Sequence, residues 1–214
     1  MMGISFYNLS DRSIYFKLYQ TIRDDDFLSV LAGGHYITGG SMLSKLEKMQ
    51  FNEIYKIMEE SFPEEERRPY EEQRALLECK DYSIYVHIVK EEIVAFFGVW
   101  RLSGFDFIEH FAVKETHRNG GIGTKLLREL LILLKKPVIL EVEPPTEKLT
   151  KSRIQFYERS GFALNDYDYF QPPISKGRSR IPLMIMTYPN QITVSQYENI
   201  RNALYQEVYH YYEK

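Results

Sequence analysis

The chain has 214 residues, 27 basic and 30 acidic side chains for a formal net charge of -3, and a hydrophobic share of 44%. That is enough apolar material for one main domain with its own core, and the scattered basic residues leave no electrostatic footprint for nucleic acid or an anionic membrane. A single cysteine, Cys79, excludes an intrachain disulfide and a thiol metal cluster and suits a reducing compartment.

Met1–Ser41 stands apart as an extension, in which Asp24-Asp25-Asp26 and the pairs Gly33-Gly34 and Gly39-Gly40 interrupt short aromatic runs. Its start, Met1–Arg12, lacks a basic segment followed by an apolar core, and no stretch approaches the roughly 20 apolar residues of a membrane span. A cytoplasmic protein is expected. Leu43–Ser61 carries Leu46, Met49, Ile54, Ile57 and Met58 at helical spacing and is ended by Phe62-Pro63. The charged connection Glu64–Arg68 leads to a second helix, Pro69–Cys79, with Cys79 buried or half-buried. Tyr82–Val89 and Ile93–Leu102 form a hairpin turned at Lys90-Glu91-Glu92, and Phe105–Val113 adds a third strand. Two-residue alternation on that strand groups Glu109 with Phe107 and Phe111, and turns His110 the other way, as a buried, satisfied side chain.

The next stretch, His117-Arg118-Asn119-Gly120-Gly121-Ile122-Gly123-Thr124, joins the third strand to the helix-like Lys125–Lys135. A strand that turns through glycines and restarts as a helix aims unpaired backbone N–H groups at one point, where the helix dipole also favours negative charge. Gly121 and Gly123 let the main chain approach a ligand, Arg118 adds a permanent positive charge, and the group held is a phosphate or pyrophosphate. A triphosphatase loop needs Lys followed by Ser or Thr, and Thr124-Lys125 stand in the reverse order. A dinucleotide fold needs a third glycine where Leu126 stands.

Pro137–Val142 reads as a short buried strand that carries one charge, Glu141. A helix later comes Phe156-Tyr157-Glu158-Arg159-Ser160-Gly161-Phe162. Beyond it the sequence predicts a strand near Phe162–Asn165, an aromatic loop Tyr167–Pro173, a basic turn Lys176–Arg180, a last strand Pro182–Thr187 and a terminal helix Thr193–Tyr212 with Tyr197, Tyr205, Tyr209 and Tyr212. His35, His87 and His210 are too scattered for a metal site, and no metal is expected.

Three linked motifs, Arg118-x-x-Gly121-x-Gly123, Leu140-Glu141-Val142 and Tyr157-Glu158-x-x-Gly161-Phe162, resemble the GNAT (Gcn5-related) N-acetyltransferase superfamily over about Leu43–Tyr188. The resemblance implies an α+β fold, a mixed and mostly antiparallel central sheet flanked by helices, whose splayed strands Phe105–Val113 and Pro137–Val142 form an acyl-CoA cleft. It also implies an extension over 1–41, a GNAT domain over 42–190 and a C-terminal helix over 191–214. By the same resemblance, acetyl-CoA is the acyl donor. Arg118, Asn119, Gly120, Gly121, Ile122, Gly123 and Thr124 hold its pyrophosphate, and the main chain of Phe111, Ala112 and Val113 pairs with its pantetheine arm. Tyr157 donates a proton to the sulfur. Glu141 and Glu109 compete as base toward an amine acceptor, with ordered water as a third route. Acceptor loops fall at Glu59–Tyr70 and Tyr167–Arg180, and the acidic run Glu59-Glu60 and Glu64-Glu65-Glu66 suits a cationic amine or is solvated surface. A non-catalytic acyl-CoA sensor or assembly module, and a structural protein that forms a homodimer through the tyrosine-rich terminal helix, are the competing readings.

Overall fold

The computed structural model of the protein describes residues 41–212; all of the expected extension except Ser41 lies outside them. Seven strands form one sheet: β1 (Ser44–Lys45), β2 (Tyr82–Val89), β3 (Glu92–Arg101), β4 (Asp106–Val113), β5 (Val138–Val142), β6 (Ala163–Gln171) and β7 (Ile181–Tyr188). Their order is β1-β2-β3-β4-β5-β7-β6, antiparallel everywhere except between β4 and β5. The helices are α1 (Phe51–Ser61), α2 (Tyr70–Ala75), α3 (Ile122–Leu133), α4 (Lys148–Arg159) and α5 (Val194–Ala203). Among the described residues no helix is long and apolar enough to cross a membrane.

Alternating side chains give the sheet two cores. On one face Phe96, Trp100, Phe107 and Ile139 pack with residues of α1 and α5; on the other Phe97, Ile108 and Leu140 pack with α3 and α4. Leu126, Leu127 and Leu130 of α3 are fully buried, each burial contributing roughly 1.5–3 kcal/mol.

Several local expectations change. The first helix starts at Phe51, because Ser44 and Lys45 pair with Val86 and Tyr85 as an edge strand and Glu47 and Gln50 cap each other reciprocally. Met49 is 87% exposed there, so its helical spacing is coincidence. The aromatic stretch expected as a loop is strand: Tyr169, Phe170 and Gln171 pair with Leu183, Pro182 and Ile181 after an irregularity that follows Asn165. The terminal helix is shorter, and passes at Leu204–Val208 into a π turn. Tyr197, Tyr205 and Tyr209 are buried against the sheet and only Tyr212 is exposed, so the tyrosines offered for a homodimer belong to the core. Cys79 is half-buried and follows a 3-10 turn at the end of α2.

One irregularity shapes the site. Gly98 pairs with His110 but Val99 pairs with Ile108, so Glu109 is an extra residue in β4, a bulge. Past it the alternation inverts: Phe107 lies in one core and Phe111 packs on the other. Glu109 therefore does not share a face with both phenylalanines, and His110 is not opposed to it.

Candidate active site

β4 and β5 pair only through Asp106↔Val138, Phe107↔Ile139 and Ile108↔Leu140. Continuing that register would set Glu109 against Glu141, but the bulge bends β4 away and the strands separate. Both sequence-predicted carboxylates thus stand where the gap opens.

Along the gap no strand among the described residues pairs with one edge of β4. The Lys114 N–H donates to the Val94 carbonyl at 2.8 Å, and the register sets Ala112 against Phe96 and His110 against Gly98. Alternation then commits the main-chain groups of Ala112 to β3 and turns those of Phe111 and Val113 to the free edge. Of the three residues expected to meet a pantetheine arm, Phe111 and Val113 are oriented for it and Ala112 is not.

At the end of β4 the chain makes a 3-10 turn (Glu115–His117), runs extended through Arg118 and enters the left-handed region at Asn119 (φ 68°) and Gly121 (φ 73°) before α3 begins at Ile122. The first intrahelical bond runs from Lys125 N–H to the Gly121 carbonyl, 3.2 Å. Among the described residues nothing accepts from the N–H groups of Ile122, Gly123 or Thr124, and no side chain caps the helix. A Cβ on Gly120 or Gly121 would meet nothing within 4 Å, so the space before these amides is open to a ligand. Arg118 Nε donates to the Val113 carbonyl at 2.8 Å, which holds the guanidinium beside the turn, its other nitrogens bonded to none of the described residues. Unsatisfied amides at a helix start with a positive charge beside them are chemically able to take an anion. His117 is half-buried and its Nδ1 lies 2.9 Å from Thr116 Oγ1.

Tyr157 lies on the α3/α4 side. It is 8% exposed, edge-on to Phe156 and Phe162, and its hydroxyl bonds to no described residue. Burial pushes its pKa up to about 12, against the opposing charge of Arg153, so it keeps its proton at neutral pH.

The opposite side of the gap is ionic. Burial alone would push Glu109 up, but Arg68, whose Nη1 lies 2.7 Å from its Oε1, and the neighbouring His110 outweigh burial and hold it at about 2. His110 Nδ1 stands 3.5 Å from Glu109 Oε2 while Nε2 donates to the Glu66 carbonyl at 2.9 Å. Arg68 also donates to the Val208 carbonyl at 3.2 Å and sits over the Trp100 ring. Glu141 is the reverse case. Burial, with Glu109 and Glu66 nearby, raises it to about 7, although both of its oxygens accept hydrogen bonds, Oε1 from Tyr169 and Oε2 from Tyr209. Glu66 is itself raised, by burial and then by the charge of Glu143. The last residue of the acidic run is therefore tied to the cleft, whereas Glu64 pairs with Arg178 nearer the surface.

Arg68, Tyr169 and Tyr209 were not singled out from the sequence: Arg68 reads as one more charge in Glu64–Arg68, Tyr169 as part of the aromatic loop Tyr167–Pro173, and Tyr209 as one tyrosine of the terminal helix. Replacing Arg68 by Ala leaves Glu109 buried and unpaired, and is expected to cost roughly 3–5 kcal/mol, read as a drop in the denaturation midpoint. Because Glu109 lies below its ordinary pKa, its contribution is complete above about pH 4.5 and is lost as the pH falls toward 2. The Arg68→Ala protein should lack that acid-side loss.

The sequence matches the acetyltransferase (GNAT) family over residues 51–162. No curated protein matches it. Among solved structures, a GNAT-family protein of Bacteroides thetaiotaomicron is 34% identical, with 78% of this chain and 97% of that one covered and a TM-score of 0.71. The ribosomal-protein-S18-alanine N-acetyltransferase of Escherichia coli is 22% identical, with 71% and 94% covered and a TM-score of 0.53. An aminoglycoside 6'-N-acetyltransferase complexed with coenzyme A is 15% identical, with 71% and 98% covered and a TM-score of 0.52. The last two share the fold. With its family match spanning both splayed strands and the tyrosine helix, the chain belongs to the GNAT acetyltransferases and is an acyl-CoA-dependent N-acyltransferase.

Proposed function

We propose that the protein moves the acetyl group of acetyl-CoA directly to a primary amine, with Glu141 as base and Tyr157 as acid. The observation that carries this reading is the contrast between the two carboxylates at the mouth of the gap. Glu109 is locked as an anion by Arg68 and has little affinity for a proton, whereas Glu141 titrates near neutrality, where a general base is most effective. Support for the donor comes from the open amides at the start of α3, the anchored Arg118 and the free edge of β4. Those groups suit a pyrophosphate and an extended amide-bearing arm, and the known complex of a same-fold neighbour with coenzyme A agrees.

In the reaction, Glu141 takes a proton from the ammonium form of the acceptor, directly or through a water. The amine nitrogen then attacks the thioester carbon while the Phe111 N–H holds the carbonyl oxygen. As the carbon–sulfur bond breaks, Tyr157 gives its proton to the sulfur, and the proton that the nitrogen sheds on becoming an amide passes through water to restore the Tyr157 hydroxyl. An amide and a free thiol result, with no covalent enzyme intermediate.

A screen of polyamines, aminoglycosides, amino acids and peptide N-termini, read by thiol release, tests the reading. With any acceptor found, wild-type activity should rise as the pH climbs through about 7, when Glu141 loses its proton. Glu141→Gln should lose most activity near neutrality and recover part of it at high pH, where the amine deprotonates unaided; Glu109→Gln should act through stability. Flat pH behaviour in both variants would leave water as the relay. Tight acetyl-CoA binding with no acceptor would favour the sensor reading instead.

A further inference from the structure

The family match ends at residue 162, yet both hydroxyls bonded to Glu141 lie beyond it. We propose that Tyr169 and Tyr209 form a two-point clamp on Glu141, and that the segment after α5 is thereby a working part of the acyl-transfer site; this rests on Glu141 being the base. Tyr209 and Tyr169 act as positioning residues, since each hydroxyl is engaged with Glu141.

The clamp is built from two distant parts of the chain. Tyr169 comes from the edge strand β6 and is 4% exposed; Tyr209 follows the π turn and is 7% exposed. An ordinary helix would place Val208 over Leu204. The i to i+5 closure, Tyr209 N–H to the Leu204 carbonyl at 3.1 Å, brings Tyr209 into that column and turns its hydroxyl to Glu141, 2.7 Å away. The same segment is fixed from the other side of the gap by Arg68, which donates to the Val208 carbonyl while pairing with Glu109. One short turn thus touches the partners of both cleft carboxylates.

Physical consequences follow from the sign of each neighbour. Four groups face Glu141: Tyr169 from β6, Tyr209 from the turn, Glu109 from β4 with its partners Arg68 and His110, and Glu66 from the segment between α1 and α2. The two carboxylates and burial favour a protonated Glu141, and the two O–H donors favour the anion. Since each carboxylate oxygen has a second lone pair, a clamped Glu141 still accepts a proton from an amine or water. Fixing both oxygens also fixes the plane of the carboxyl group, and so the direction of those lone pairs.

The test follows the Glu141 carboxyl by carbon-13 NMR in glutamate-labelled full-length protein, the resonance being assigned by its loss in Glu141→Gln. Tyr209→Phe keeps the ring and removes one donor. The Glu141 titration should move upward by about one to two pH units, with the acid limb of kcat/KM moving alongside it and acetyl-CoA affinity unchanged. Tyr169→Phe should do the same, and keeps the clamp testable if Tyr209→Phe folds poorly. A Glu141 titration that stays in place in the folded variants overturns the clamp. If the resonance moves but the rate profile does not, the clamp stands and Glu141 as the base falls.

Discussion

Tyr157→Phe lowers kcat by roughly 10²-fold or more and leaves acetyl-CoA affinity almost unchanged. The ring is what packs: Tyr157 is 8% exposed and held edge-on by Phe156 and Phe162, contacts that Phe keeps. Only the hydroxyl is lost, and it supports no bond to any described residue, so stability should change little. Its proposed work comes late, when the sulfur leaves and needs a proton, and a group acting only there alters turnover rather than binding. Steady-state kinetics on an acceptor from the screen, with calorimetric titration of acetyl-CoA, separate the two. Unchanged turnover would remove Tyr157 from the mechanism; a parallel loss of affinity would make it a wall of the binding site.

Gly121→Val weakens acetyl-CoA binding by roughly 10- to 100-fold, through a backbone that a β-branched residue resists. Gly121 caps α3 at φ 73°, a region that costs a non-glycine residue about 1–3 kcal/mol and a branched one the upper part of that range. Space is not the obstacle, since an added Cβ would meet nothing within 4 Å. The turn must instead relax, and relaxing it re-aims the open amides of Ile122, Gly123 and Thr124. Gly123→Val probes a different cause. Gly123 is helical, and its Cβ would lie 3.6 Å from Phe111, 3.7 Å from Val113 and 3.8 Å from Phe156, so a small side chain fits there, while the added methyls of valine press on these three and shift the first turn of α3. Arg118→Ala should weaken binding less than either, because the amides remain. Wild-type affinity in both valine variants would exclude this turn as the pyrophosphate site.

What was legible in the sequence followed local physical rules. Glycines before a helix, a lone acid in the apolar run Val138–Val142 and a tyrosine near a helix end each restrict the backbone or the solvent around them; the glycine turn follows β4 and Glu141 stands on β5 just past the last pair of the two strands. What was not legible depends on partners far along the chain. Nothing local marks Glu109 as the extra residue that inverts β4; that needs β3 beside it. Arg68 reads as a surface charge until Glu109 and the Val208 carbonyl are seen around it. The hairpin turn at Lys90 and Glu91 takes positive φ at both residues without glycine or asparagine, so its tightness has no compositional signal. Tyr209 reaches Glu141 only because the last turn is wound one residue wider.

The two loops expected to choose the acceptor are tied to each other. Arg178 pairs with Glu64 at 2.7 Å and the Gln171 side chain donates to the Glu65 carbonyl at 3.4 Å, while Ser175 donates at 2.9 Å to Glu72, just past the first loop. Selectivity in such a scaffold is inherited as a matched pair. Grafting residues 59–70 alone from a relative strands Arg178 without its complement Glu64, while exchanging 59–70 and 167–180 together preserves the seam and leaves the donor side of the sheet untouched. Laboratory evolution of new acceptors should accordingly enrich covarying changes across this seam before it enriches changes near the glycine turn.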